Sequence, residues 1–128
     1  MTIYCKTRHF SRWAVKTGVS DNALKIAVKE IQAGLIDADL GGGLIKKRIA
    51  LPGRGKRGST RTLLATNKKD RWIFVFGFEK SERDNITTNE LEALQLLAAD
   101  LFRLSNKQVI EAIRHGSLVE VNDETKDS

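Results

Sequence analysis

Apolar residues early in the chain recur at intervals of three and four. Phe10, Trp13 and Ala14 share one helical face before Gly18 interrupts, and Leu24, Ala27, Val28 and Ile31 repeat the pattern after Ser20, a good N-cap, with Gly34 placed to close the run. Two helices in an αα-hairpin are expected, preceded by a short strand over Thr2–Lys6. From Leu44 the period falls to two: Ile45, Lys47 and Ile49 lie on one face of a predicted strand, with Lys46 and Arg48 on the other. A glycine-rich stretch then leads to Thr60–Thr66, rich in Thr and Leu. The Asn67–Asp70 turn follows, and then Trp72–Phe78, apolar on both faces as a covered central strand would be.

Two capping-box spacings punctuate the remainder. Thr87-Thr88-Asn89-Glu90 introduces Leu91, Leu94, Ala98 and Leu101, and Ser105-Asn106-Lys107-Gln108 introduces Val109, Ile110 and Ile113, with Gly116 as a stop. The predicted class is therefore α+β, in the order β-α-α-β-β-β-α-α, with a small, mainly antiparallel sheet packed against helices. Residues 1–121 are expected to form one domain and residues 122–128, polar and mostly acidic, a disordered tail.

Composition narrows the class of function. No apolar run approaches the roughly 20 residues of a membrane helix, and no secretory h-region is present, so a cytoplasmic location is expected. The single Cys5 excludes an internal disulfide and a Cys-based zinc motif, and its flanks predict a small buried strand residue. The net charge of +6 is unevenly spread: residues 1–83 carry +11 and residues 84–128 carry −5. Between Leu40 and Lys69 there are nine Lys and Arg and no Asp or Glu. A concentrated cationic portion favours a polyanionic partner such as nucleic acid, although a solvated basic hairpin would look the same.

Gly53, Gly55 and Gly58 satisfy G-x-G-x-x-G, but the segment joins two predicted strands where a dinucleotide fold needs a strand and a helix; Lys56 is followed by Arg57 where a Walker motif needs Ser or Thr. No nucleotide or other cofactor is expected. Either the glycines simply permit a wide hairpin loop or they also bring Arg54, Lys56 and Arg57 against phosphates. Arg61 tips the balance towards the second: it shares a face with Leu63 and Ala65, so the sheet holds it, and a fixed Arg can grip phosphate through two parallel N–H bonds.

Gly41–Ile49, Pro52–Lys56, Arg61-Thr62-Leu63 and Phe78–Ile86 together resemble the RelE/HigB-like toxins of bacterial type II toxin-antitoxin systems, in the subgroup with a glycine-rich basic loop. The resemblance covers nearly the whole chain. It implies a toxin that enters the ribosomal decoding site, cleaves messenger RNA and so blocks translation. A cognate antitoxin, usually a helix-turn-helix DNA-binding protein, would neutralise it. The family's cationic positions fall at Lys46 and Arg48 before the loop, at Arg61 after it, and at Lys80 and Arg83 after the last strand. The chain departs from the best-known members at Ser81, where they carry a second Arg, and at Thr87, where they carry a Tyr.

Cutting RNA without a metal requires the 2′-OH to attack the adjacent phosphate, so a site must accept a proton, supply one and neutralise the growing charge. Arg48, Arg61 and Arg83 are the candidates for neutralisation, and Lys46, Lys56 and Lys80 for the proton acceptor, since crowding by cations lowers a Lys pKa. The expected catalytic set is Arg48, Arg61, Lys80 and Arg83, with Lys46, Arg54, Lys56 and Arg57 on flanking RNA and no metal ligand. His9 is an outside candidate for the base; His115 suits the negative end of the last helix. Trp13 and Trp72 are expected in the core, and Glu79, Glu82 and Asp84 in local ion pairs with Lys80 and Arg83. Two non-catalytic alternatives stand beside an endoribonuclease: a gyrase inhibitor like the related ParE-like toxins, and a plain nucleic-acid-binding module.

Overall fold

Every helix among the described residues begins at a side-chain cap. Thr7, Ser20, Thr87 and Ser105 each accept a bond from a backbone N–H in the first turn, and the last two complete reciprocal boxes with Glu90 and Gln108. The computed structural model describes residues 1–51 and 59–122. In chain order these form β1 (Ile3–Thr7), α1 (Arg8–Thr17), α2 (Asp21–Gln32), β2 (Ala38–Gly41), β3 (Leu44–Ile49) and β4 (Thr60–Thr66). The second half adds β5 (Arg71–Glu79), α3 (Thr88–Arg103), α4 (Asn106–His115) and β6 (Leu118–Glu120). The glycine loop residues Pro52–Gly58, with Arg54, Lys56 and Arg57, and the tail from Asp123 lie outside the described residues.

The strands make one sheet in the order β2-β3-β4-β5-β1-β6, with β1 parallel to β5 and every other neighbouring pair antiparallel. This is the expected α+β class and element order, with two short edge strands added. β2 escapes a sequence reading because Ala38-Asp39-Leu40-Gly41 holds residues depleted in strands. It closes on β3 through Gly42 and Gly43, whose positive φ angles of 63° and 83° favour glycine. β6 has three residues and pairs with the free edge of β1. The amide of Asn122, just beyond it, donates to the Asp21 carboxylate at 2.8 Å, and that same carboxylate pairs with the buried Lys6 ammonium.

The sheet separates two apolar layers. Phe10, Ala14, Leu24, Ala27, Val28 and Ile31 of α1 and α2 pack with Ile45, Ile49, Leu64, Trp72 and Phe74 on one face. Ala98, Leu101 and Val109 of α3 and α4 pack with Cys5, Leu44, Leu63, Ala65, Ile73 and Val75 on the other. β5 is thus covered on both faces, which is why Trp72–Phe78 lacks alternation. Arg71, buried at the start of β5, ties the sheet to the α3–α4 layer: its guanidinium donates to the carbonyls of Leu101 at 2.9 Å and Leu104 at 2.6 Å, at the end of α3, and to Asn106 Oδ1 at 3.2 Å.

One irregularity in the sheet aims residues. Leu63 pairs with Phe76 but Leu64 pairs with Phe74, leaving Val75 as an extra residue on β5. Such a bulge resets the alternation of faces. Phe74 therefore joins the α1–α2 layer, whereas Val75 and Phe76 both lie with the α3 layer.

Candidate functional site

Strand register assembles the site. Arg48 is directly opposite Arg61, which is opposite Phe78, and one step along Lys46 is opposite Leu63, which is opposite Phe76. Because side chains two apart share a face, all six lie on the α3 side of the sheet. The helix covers the part of this face near Leu44 and Ala65, where Gln95 Nε2 donates to the Leu40 carbonyl at 3.1 Å. At the Arg48–Arg61–Phe78 end, Arg83, from the segment before α3, is paired with Glu90 in the first turn of the helix. Arg48 is exposed and Lys46 half-buried, and neither makes an ion pair among the described residues.

Arg61 is held as the sequence predicts. Its Nη1 donates to Ser59 Oγ at 3.0 Å and its Nε lies 3.6 Å from Asp37 Oδ2, with the side chain only 12% exposed. Lys47 belongs to the other face, buried, with its ammonium 2.8 Å from the Leu35 carbonyl and 3.1 Å from Glu30 Oε1. The alternation of Lys46, Lys47 and Arg48 thus sends two cations to the open face and one to a structural pair.

Arg83 joins the same face from the segment before α3. Its guanidinium carbon lies 5.4 Å from the Phe76 ring centre and 5.6 Å from that of Phe78, and its two terminal nitrogens each lie 2.8 Å from a different Glu90 oxygen. The neighbouring Glu82 acts on Arg83 through its charge, as expected of local pairing, but the hydrogen-bonded partner is Glu90, seven residues away in the first turn of α3. The Arg83 guanidinium and the Thr87 amide hold the Glu90 carboxyl down at about 2. Lys80 follows the last paired position of β5, where Glu79 meets Thr60, and is exposed in a turn with no ion pair among the described residues.

His9 is the second residue of α1, not a residue ahead of it, and its ring stacks on Phe76 at 5.9 Å and 10°. The sequence offered no signal for this, since only the bulge turns Phe76 toward it. Trp13 and Trp72 are core residues, the latter 3% exposed. The Trp13 ring lies against Gly77, where any Cβ would collide with it. His115 Nε2, in the last turn of α4, lies 3.5 Å from Glu111 Oε2. Cys5 is wholly buried, and burial pushes its thiol up to about 11. Among the described residues, no group of His, Cys, Asp and Glu has the arrangement to hold a metal ion, and no helix is long and apolar enough to cross a membrane.

A sheet of this order, packed by two helices on each face and presenting Lys46, Arg48, Arg61 and Arg83 on one side, defines a small α+β protein with a cationic open face. The chain belongs to the RelE family: the family model described as the RelE toxin of the RelE / RelB toxin-antitoxin system matches residues 1–121. Membership makes it the toxin of a toxin-antitoxin pair and implies an antitoxin partner. Comparison with individually curated proteins gives no match.

Proposed function

We propose that this toxin is a ribosome-dependent endoribonuclease that cuts messenger RNA in the cytoplasm and so blocks translation. The observation that carries the reading is the register-matched set of Lys46, Arg48 and Arg61 on one sheet face, with Arg83 above its aromatic end. A phosphodiester laid on this face meets guanidinium groups from two adjacent strands and one from the segment before α3. In the cleavage step the ribose 2′-oxygen forms a bond to phosphorus as the bond to the 5′-oxygen breaks. A lysine takes the 2′-OH proton, and the 5′-oxygen receives one on leaving. Arg48 and Arg61 neutralise the extra charge on the phosphoryl oxygens, the largest single contribution in such reactions. Lys80 and Lys46 are the proton-carrying candidates at the two ends of the cationic face, while Arg54, Lys56 and Arg57 of the glycine loop hold flanking RNA. The cognate antitoxin, a helix-turn-helix DNA-binding protein, neutralises the toxin.

Mapping RNA ends after brief induction tests this. New ends clustered within translated codons, absent from Arg61→Ala cells, are the expected result. Growth arrest with intact messenger and a DNA-damage response would replace the nuclease with a gyrase inhibitor. Harmless expression would replace it with a simple nucleic-acid adaptor.

A further inference from the structure

Glu90 has two tasks that separate chemically. One is the helix cap, in which Oε1 accepts from the Thr87 amide at 2.8 Å. The same cap at α4 is made by Gln108, whose Oε1 accepts from Ser105 N at 2.8 Å, so the box itself needs no charge. The other task does need a carboxylate: both oxygens engage Arg83, one to each terminal nitrogen. The Arg83 side chain is still 35% exposed, so this is not a cation buried for packing. The fork occupies two of its five N–H donors. Its plane is further restrained by the rings of Phe76 and Phe78, which belong to the rows of Arg61 and Lys46.

We infer that Glu90 is a positioning residue for Arg83, locking the guanidinium over the Phe76–Phe78 end of the open face so that its remaining N–H groups meet the bound phosphate. The inference rests on the nuclease reading above. A free Arg would sample many rotamers and lose that entropy on meeting substrate; one pre-set by a carboxylate and two rings does not. Glu90 touches no reacting atom, and its effect passes through Arg83 alone.

The test is a double-mutant cycle on messenger cleavage in a translating extract, with wild type, Glu90→Gln, Arg83→Ala and the double variant. Glu90→Gln keeps the cap and is expected to slow cleavage on the order of tenfold to a hundredfold, as misplacement of a reacting partner does. Arg83→Ala is expected to slow it at least as much, and the double variant no further than Arg83→Ala. The expected loss sits in the rate constant at saturating toxin, which a merely structural cap would not move. Glu90→Gln cutting as fast as wild type, or slowing Arg83→Ala by the full factor again, would overturn the role of Glu90 and leave the nuclease standing. A wild type that cuts nothing would overturn both. If Glu90→Gln does not fold, Arg83→Lys keeps the charge, loses the fork and is expected to match Arg83→Ala; wild-type rates there would overturn the inference.

Discussion

Arg48 and Arg61 stand directly opposite one another across β3 and β4. Like charges facing each other on neighbouring strands are destabilising, by roughly 0.2–1 kcal/mol relative to a neutral pair. Asp37, 3.6 Å from Arg61 Nε, offsets part of the repulsion, and a bound anion would relieve the rest. Arg48→Gln is therefore expected to leave the fold about as stable as wild type or slightly more so, while the proposed RNA cleavage falls at least about tenfold for loss of one charge-stabilising donor. Arg48→Glu, which can share Arg61 with Asp37, is expected to keep the fold and to abolish toxicity. Urea midpoints beside growth arrest decide the matter; a substitution that lowers stability and toxicity together would mean Arg48 serves the fold.

Gly77 makes the contrasting prediction, one of pure packing. It lies in β5 opposite Thr62, and the Trp13 ring fills the place where a side chain would be. Gly77→Ala must push an aromatic ring out of a packed layer, at an expected cost of about 1–3 kcal/mol. Trp13→Leu, itself destabilising, opens that space, so adding Gly77→Ala to it should cost much less. Equal costs in the two backgrounds, read from denaturant titration, would show that Trp13 does not impose the glycine.

These two cases mark how far the sequence could be read. The face of Lys46 and Arg48, the placement of Arg61 on a strand and both capping boxes follow from periods of two and from caps, which are local properties of the chain, whereas the ion pair of Arg61 with the distant Asp37 does not. The parallel pairing of β1 with β5 and the short strands β2 and β6 do not, because they depend on which edges remain after the helices have packed. The partner of Arg83 and the stacking of His9 on Phe76 depend on a bulge at Val75 and on the return of α3, neither of which leaves a periodic signal. That Lys46, Arg48 and Arg61 share a sheet face was legible; the groups that orient Arg83 were not.

Cys5 supplies a probe of the opening of the sheet. It is wholly buried in β1, between β5 and β6, with its thiol raised by burial first and by the Glu120 carboxylate second. The native protein is therefore expected to resist a thiol-alkylating reagent at pH 8 and to react fully once unfolded. The same shift carries a sign for stability. An unfolded thiol ionises near its ordinary 9.0 while the folded one holds its proton to about 11, so this contribution is present below pH 9 and is lost as pH rises towards 11. Rapid native-state alkylation at pH 8 would contradict the burial of the strand.

Glu90 predicts the opposite slope in acid. Its carboxyl is held at about 2 by the Arg83 guanidinium and the Thr87 amide, against an ordinary value near 4.5. A depressed folded pKa means that the unfolded chain binds the proton first as pH falls. The stabilisation is thus complete above about pH 4.5 and drains away towards pH 2. Glu90→Gln cannot titrate, so the stability difference between wild type and this variant should be largest at neutral pH and shrink steadily between pH 4.5 and pH 2. High salt should reduce the difference, since the pair is partly open to solvent. Paired urea titrations across that range read it directly, and a difference that stays constant with pH would mean that the Arg83–Glu90 fork is not held in solution.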